Sequence, residues 1–65
     1  MKVLIRIPSR KVHELHGRRS VGKILRELGM NPESVIVIKG DELLTLDEMV
    51  EEADEIEVRP AISGG

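Results

Sequence analysis

The chain has 65 residues, a formal net charge of −2, no cysteine and no aromatic residue. This length gives a single domain, whose core must be built from Val, Ile, Leu and Met. Without cysteine, disulfides and thiolate metal sites are excluded; without aromatic residues, the stacking platforms of single-strand nucleic-acid binders are missing. No apolar stretch is long enough for a signal peptide or a bilayer span, so we expect a cytoplasmic protein with neither nucleic-acid nor membrane partners.

Charge is divided unevenly along the chain. Residues 1–40 carry nine Lys/Arg and three Asp/Glu, whereas residues 41–57 carry nine Asp/Glu and no base. Such polarity steers association with an oppositely charged partner, or simply forms a solvated surface. High charge content with no glutamine and a single asparagine favours a thermophilic source.

The first half of the chain predicts two strands and a helix. Residues 2–7 predict a strand with Val3, Ile5 and Ile7 on its core face, and Pro8-Ser9-Arg10 forms a turn into a weaker strand at Lys11–His16. A helix then begins after the N-cap Ser20. Its apolar residues follow at i, i+3, i+4 and i+7 spacing, and they are Val21, Ile24, Leu25 and Leu28. Gly29 suits the left-handed position after the helix, and Pro32 blocks its continuation.

The second half predicts a hairpin, a short helix and a last strand. The β-branched run Val35–Lys39 turns at Gly40-Asp41 into Glu42–Leu44. Thr45 and Glu48 resemble a capping box with Leu44 and Met49 as its hydrophobic staple, which predicts a short helix. Its inward side chains would be Leu46, Met49, Val50 and Ala53.

The last predicted strand, Glu55–Arg59, stops at Pro60, which has no N–H to donate and should release the tail. The sequence therefore predicts an α+β fold, a mixed four- to five-stranded sheet with one main helix packed on one face. We expect a domain at residues 1–60 and a flexible tail at residues 61–65 that ends in Gly-Gly.

Three features of the chain resemble the ThiS/MoaD sulfur-carrier family of ubiquitin-like β-grasp proteins, the ThiS branch more closely because of the compact length. They are the terminal Gly64-Gly65, the acidic turn Ala53-Asp54-Glu55 and the helix at residues 20–29. The resemblance implies that the protein is a carrier and not an enzyme. An adenylating enzyme related to the ubiquitin-activating enzymes would use ATP and Mg²⁺ to convert the Gly65 carboxylate into an acyl-adenylate. A sulfur donor would then form a thiocarboxylate for an acceptor synthase, in thiamine (thiazole), molybdopterin or thiolated-tRNA formation.

On this resemblance Gly65 carries the reactive carbonyl, and Gly64, Ser63 and Ile62 give the activating enzyme access to it. Glycine suits a narrow channel in the activating enzyme, because no Cβ keeps the enzyme away from the backbone. Leu4 and Leu44 are expected on the sheet face away from the helix, where they would dock the enzyme. Scattered surface leucine is the alternative for each of them.

Two other functions stay open. The protein is alternatively a ubiquitin-like modifier conjugated to lysines through Gly65, or a β-grasp binding module without C-terminal chemistry. No metal site is expected, because His13 and His16 lie three apart in a predicted strand and point to opposite faces. For Arg18-Arg19 we expect a solvated loop and not a phosphate-binding site.

Overall fold

Seven strands and one helix are seen in the computed structural model, which describes residues 1–6 and 9–61. In chain order they are β1 (Lys2–Ile5), β2 (Lys11–Glu14), β3 (Arg19–Ser20), α1 (Val21–Glu27), β4 (Val35–Lys39), β5 (Glu42–Leu44), β6 (Met49–Val50) and β7 (Glu55–Pro60). Ile7 and Pro8, to which a core position and a turn were assigned, lie outside the described residues.

Five of the strands form one mixed sheet in the order β2-β1-β7-β4-β5. β1 and β7 are parallel, and the remaining neighbours are antiparallel. The predicted mixed sheet is therefore confirmed, and β4 and β5 have the predicted bounds. β2 ends at Glu14 rather than at His16, although the Leu15 N–H still donates to the Met1 carbonyl at 2.9 Å.

Helix α1 is closed at both ends by the residues that predicted it. The Ser20 hydroxyl accepts from the Lys23 N–H at 3.2 Å, which satisfies one of the open donors of the first turn. At the other end Gly29 has φ +72°. The N–H of Met30 reaches the Leu25 carbonyl at 2.9 Å and that of Gly29 reaches Arg26 at 3.1 Å. These two bonds form a Schellman motif, which needs a residue tolerant of positive φ.

The predicted short helix after Thr45 is wrong. A turn at residues 46–47 leads instead into β6, which pairs with β3 in a second, two-stranded sheet that the sequence did not predict. The carbonyls of Leu46 and Glu48 accept at 2.9 Å from Gly22 and Val21, the first residues of α1. A Cβ on Gly22 would lie 3.3 Å from the Leu46 oxygen, so glycine permits this close approach. These carbonyls are therefore used to cap α1, and not to build a helix of their own.

The same segment still supplies one core residue. Of the four side chains expected inward, Val50 is fully buried, whereas Leu46, Met49 and Ala53 are exposed. Half of the predicted capping box also forms, because the Thr45 N–H donates to Glu48 Oε2 at 2.6 Å. That bond closes a turn over residues 45–48 and is not followed by a helix.

The core lies between α1 and the inner face of the sheet. It consists of aliphatic side chains only, and among the described residues no polar or charged side chain is buried. Its members are Met1, Val3, Ile5, Val21, Ile24, Leu25, Val37, Val50, Ile56 and Val58. Ile56 and Val58 were predicted to face inward from the last strand, and both are buried.

Pro60 is the last residue of β7, where it pairs with Val35 on β4. The sheet was expected to release the chain there. Instead the Ala61 N–H donates to the Ser34 carbonyl at 2.8 Å, so backbone hydrogen bonding continues one residue further. Proline lacks a donor, but the residue that follows it has one.

The same substitution, leucine to alanine, at Leu25 and at Leu43 tests this description of the core. Leu25 is 1% exposed and Leu43 is 65% exposed. Leu25→Ala should lower the free energy of unfolding by about 2–5 kcal/mol, since it leaves a cavity beneath α1. Leu43→Ala should stay within about 0.5 kcal/mol of the unchanged protein. Urea denaturation followed by circular dichroism measures both, and equal losses would contradict this description of the core.

Candidate functional site on the outer face of the sheet

The chain leaves the sheet from its central strand. β7 has β1 on one side and β4 on the other, and it ends at Pro60. Ile62, Ser63, Gly64 and Gly65, which carry the predicted chemistry, lie outside the described residues. The structure therefore defines the base of the tail, which is Pro60 and Ala61, and the surface beside it.

The outer face, which is the sheet face turned away from α1, carries a row of paired side chains across all five strands, and the members from β2, β1, β4 and β5 are apolar. The strand registers pair Val12 with Leu4, Leu4 with Glu57, Glu57 with Ile38, and Ile38 with Leu43. Directly paired residues point to the same face of a sheet. The side chains at the two ends are open to solvent, with Val12 55% and Leu43 65% exposed.

Ile36 adds a second apolar side chain from β4 to the outer face. It lies two residues before Ile38 on β4, is 38% exposed, and pairs with Arg59 on β7. Shallow depressions lie on both sides of Leu4, one lined in part by Ile38 and Glu57 and the other by Arg10 and Val12. The row of Val12, Leu4, Ile38, Leu43 and Ile36 is called the apolar row below.

Of the two leucines predicted to dock a partner, only Leu4 lies on this face. Leu44 pairs with Val37, which is buried, and it packs against the core on the helix side. The assignment of Leu44 to the outer face was therefore wrong. Its neighbour Leu43 occupies the outer position, because consecutive residues in a strand alternate between the two faces.

Glu57 interrupts the apolar row at its centre. Its side chain is 18% exposed, and Oε2 lies 2.7 Å from Arg59 Nε and 3.5 Å from Arg6 Nε. The hydrogen bond from Arg59, together with the positive charges of Arg59 and Arg6, lowers the pKa of Glu57 below its ordinary value of 4.5. The carboxylate is thus ionised at neutral pH and is shared by two guanidinium groups.

The sequence did not predict Val12, Ile36, Ile38, Leu43 or Glu57 as site residues. One signal was available in β4, where four consecutive β-branched residues, 35–38, supply apolar side chains to both faces of the strand. A strand in a sheet that is covered on one face needs apolar residues only at alternate positions. The additional apolar residues of β4 therefore indicate an apolar outer face.

Several bases of the first half of the chain form ion pairs with carboxylates elsewhere on the described surface. Arg18 Nε lies 2.6 Å from Glu51, and Lys39 Nζ lies 3.2 Å from Asp54. Arg19 binds both oxygens of Glu27, at 2.6 and 2.7 Å. Arg18 and Arg19 are thus engaged by carboxylates.

Glu52 joins two loops next to this network. Its carboxylate accepts from the Gly17 N–H at 2.5 Å and lies 3.1 Å from His16 Nδ1. These two hydrogen bonds, of which the one from Gly17 has the larger effect, lower the pKa of Glu52 from its ordinary value of 4.5.

Among residues 1–6 and 9–61, no group of three His, Asp or Glu side chains is arranged to hold a metal ion. No helix in that part of the chain is long and apolar enough to cross a membrane.

A mixed five-stranded sheet with one covering helix and the last strand in its centre defines a ubiquitin-like β-grasp domain. The model of the ThiS family matches residues 3–65. The sulfur carrier protein TtuB of Thermus thermophilus is 51% identical over 65 residues, which is the full length of both chains. An uncharacterised protein of Archaeoglobus fulgidus is 42% identical over 52 residues, or 80% of this chain and 75% of its own length.

The chain therefore belongs to the ThiS family, and its similarity is to sulfur carriers of the ThiS/MoaD type. A protein of this kind is a small carrier and not an enzyme.

The charge on Glu57 predicts an effect of pH on stability. Its pKa is lower in the folded chain, so the carboxylate stabilises the fold above about pH 4.5, and this contribution is lost as the pH falls through the folded pKa. Glu57→Gln should therefore flatten part of the acid-induced fall in the thermal midpoint. Glu33→Gln is the control, since Glu33 is exposed and has no ion-pair partner among the described residues. If both variants follow the unchanged protein, Glu57 makes no such contribution.

Proposed function

We propose that the protein is a cytoplasmic sulfur carrier whose reactive group is the Gly65 carboxylate. The observation that carries this proposal is the Gly64-Gly65 ending that follows the central strand β7 of a domain in the ThiS family. Similarity over its full length to a sulfur carrier protein supports it. Gly64, Ser63 and Ile62 would give the activating enzyme access to the end of the chain.

The chemistry proceeds in two steps at one carbonyl. In the first, a Gly65 carboxylate oxygen attacks the α-phosphorus of ATP, held with Mg²⁺ by the activating enzyme, and pyrophosphate leaves. In the second, a sulfur donor delivers sulfide sulfur to the carbonyl carbon and AMP leaves. The net change is one oxygen of the carboxylate replaced by sulfur. The thiocarboxylate then supplies an acceptor synthase, in thiazole formation for thiamine or in a related cofactor pathway.

The described residues hold the base of the tail in a fixed position. β7 is held on both sides, and Ala61 is bonded to Ser34, so the tail starts from a defined point. Fixing the base lowers the conformational entropy lost when an enzyme binds the tail. Leu4, on the outer face beside it, remains a proposed docking residue.

Intact-mass measurement tests the proposal directly. The protein is incubated with the adenylating enzyme of its own organism, ATP, Mg²⁺ and a sulfide donor. We expect the mass to rise by the difference between sulfur and oxygen. Deleting Gly65 should abolish the gain while the circular dichroism spectrum stays unchanged. No gain with an enzyme that adenylates the chain would refute the carrier function.

The same variant separates the other two functions. A modifier acting through Gly65 would also fail when Gly65 is deleted, but host-protein digests of the unchanged protein would contain lysines bearing the tail. A binding module without C-terminal chemistry would keep its function after the deletion, as scored by restoration of thiamine, molybdopterin or thiolated-tRNA synthesis in a strain lacking the gene.

A further inference from the structure

A groove opens beside α1, on the side of the molecule that the helix covers. It has a volume of about 390 Å³ and is lined by Gly22, Arg26, Met30, Pro32 and Leu46. Gly22 and Arg26 are four residues apart in α1 and so lie on the same face of the helix. Leu46, which is 49% exposed, comes from the turn whose carbonyl accepts from Gly22. These five residues form what is called the helix-side groove below.

The base of the tail is joined to the rim of this groove by backbone hydrogen bonds. The Ala61 N–H donates to the Ser34 carbonyl at 2.8 Å, and the Ser34 N–H donates to the Asn31 carbonyl at 3.0 Å. The second bond closes the turn that contains Pro32. The tail therefore starts within one turn of the groove residues Pro32 and Met30.

The groove continues from Met30 to Arg26, within reach of the tail. The Met30 N–H is bonded to the Leu25 carbonyl, so Met30 lies against the last turn of α1, to which Arg26 belongs. One helical turn is about 5.4 Å long. Residues 62–65 span up to about 14 Å from Ala61 when extended, so the end of the chain can come to the Arg26 guanidinium.

The chemistry of the groove matches that of the tail in the same order. Apolar Pro32 and Met30 lie nearest the base, where the tail carries Ile62. The guanidinium of Arg26 lies farther along, where the tail ends in the Gly65 carboxylate. The two residues between them, a serine and a glycine, are small enough for a shallow groove.

Arg26 is the charged residue of the groove. Its side chain is exposed, and within residues 1–6 and 9–61 it forms no ion pair, whereas Arg18 and Arg19 are each paired with a glutamate. The last turn of a helix carries partial negative charge, which by itself disfavours an anion. A carboxylate in this groove therefore depends on Arg26 for its counter-charge.

We propose that the helix-side groove binds the chain's own tail. Ile62 packs against Met30 and Pro32, and the Gly65 carboxylate pairs with Arg26. The bound and released forms are in exchange, because one exposed ion pair and one apolar side chain make a weak contact. The consequence for activation rests on the function proposed above. The tail must leave the groove before an enzyme reaches its end, so groove binding lowers the fraction of chains open to activation.

Methionine-methyl NMR of the ¹³C-labelled full-length chain tests the contact without any partner. Of the three methionines, Met30 lines the groove, Met1 is buried in the core, and Met49 is 42% exposed outside the groove. Deleting residues 62–65 should shift the Met30 resonance and leave those of Met1 and Met49 in place. If all three resonances stay in place, the tail does not occupy the groove and the proposal is overturned.

Arg26→Gln and its matched control Arg18→Gln test the ion pair. Arg18 lies outside the groove and undergoes the same loss of charge. In the Arg26→Gln background the tail deletion should shift Met30 by about half as much or less, and in the Arg18→Gln background by the full amount. Salt at about 1 M should reduce the shift in the unchanged protein by screening the pair. Equal shifts in all three backgrounds would refute the Arg26 contact. A thermal midpoint confirms that each variant is folded.

Dilution distinguishes a tail bound to its own chain from a tail bound to a second copy. Binding within one chain makes the Met30 resonance independent of protein concentration. Movement of this resonance towards its position in the tail-deleted chain on about tenfold dilution would identify the occupant as the tail of a second copy, because only that contact obeys mass action. This outcome would overturn the proposal.

The effect on activation is measured separately, as ATP–pyrophosphate exchange with the adenylating enzyme of the same organism at low carrier concentration. Arg26→Gln should raise the exchange rate about twofold, and Arg18→Gln should leave it unchanged. If Met30 responds to the tail but an active enzyme gives no exchange with the unchanged chain, the carrier function is refuted alone. If exchange occurs but Met30 does not respond, the tail site is refuted alone. An Arg26→Gln rate equal to that of the unchanged chain would refute the effect on activation.

Discussion

β1 and β7, from opposite ends of the chain, form a parallel pair in the middle of the sheet, and the other elements are arranged around it. Val3 pairs with Ile56 and Ile5 with Val58, and all four are buried beneath α1. This pair buries apolar side chains from both strands, which favours folding, although it closes the longest loop in the chain. It also decides what the outer face carries, because the alternate residues Leu4, Arg6, Glu57 and Arg59 are brought side by side. The core and the candidate docking surface are thus two faces of one pairing.

Several loops are held by hydrogen bonds that lie outside the five-stranded sheet and the helix. The first N–H groups of α1 are satisfied by Leu46 and Glu48 carbonyls and by the Ser20 hydroxyl, while β3 pairs with β6. Glu52 ties the Gly17 loop to the segment before β7. In a domain of this size, whose core has no aromatic side chain, these bonds leave few helix donors exposed and limit the freedom of the long connection between β5 and β7. A domain whose last strand and following residue are held in place is compatible with the carrier function proposed above.

Charge has two uses in this protein. Away from the tail, some carboxylates of the second half are paired with bases of the first, as in Arg18–Glu51 and Lys39–Asp54, and each exposed pair contributes little to stability. Beside the tail, two arginines meet one carboxylate and the balance is positive. This positive balance lies beside the base of the tail, on the outer face of the sheet.

Much of the fold follows from residues that are near each other in the chain. The caps of α1, the β4–β5 hairpin and the inward positions of Ile56 and Val58 were all predictable, since local hydrogen bonds and alternation suffice for them. The segment after Thr45 was not, because its carbonyls are taken by α1, a partner that local pattern does not reveal. Leu44 shows the limit most clearly. The two-residue turn at Gly40-Asp41 places it beside Val37, but residues 35–38 are apolar on both faces, and either face fits the core by hydrophobicity alone. Pairing of β4 with β7 decides it, because Val58 is buried and carries Val37, and with it Leu44, to the inner side.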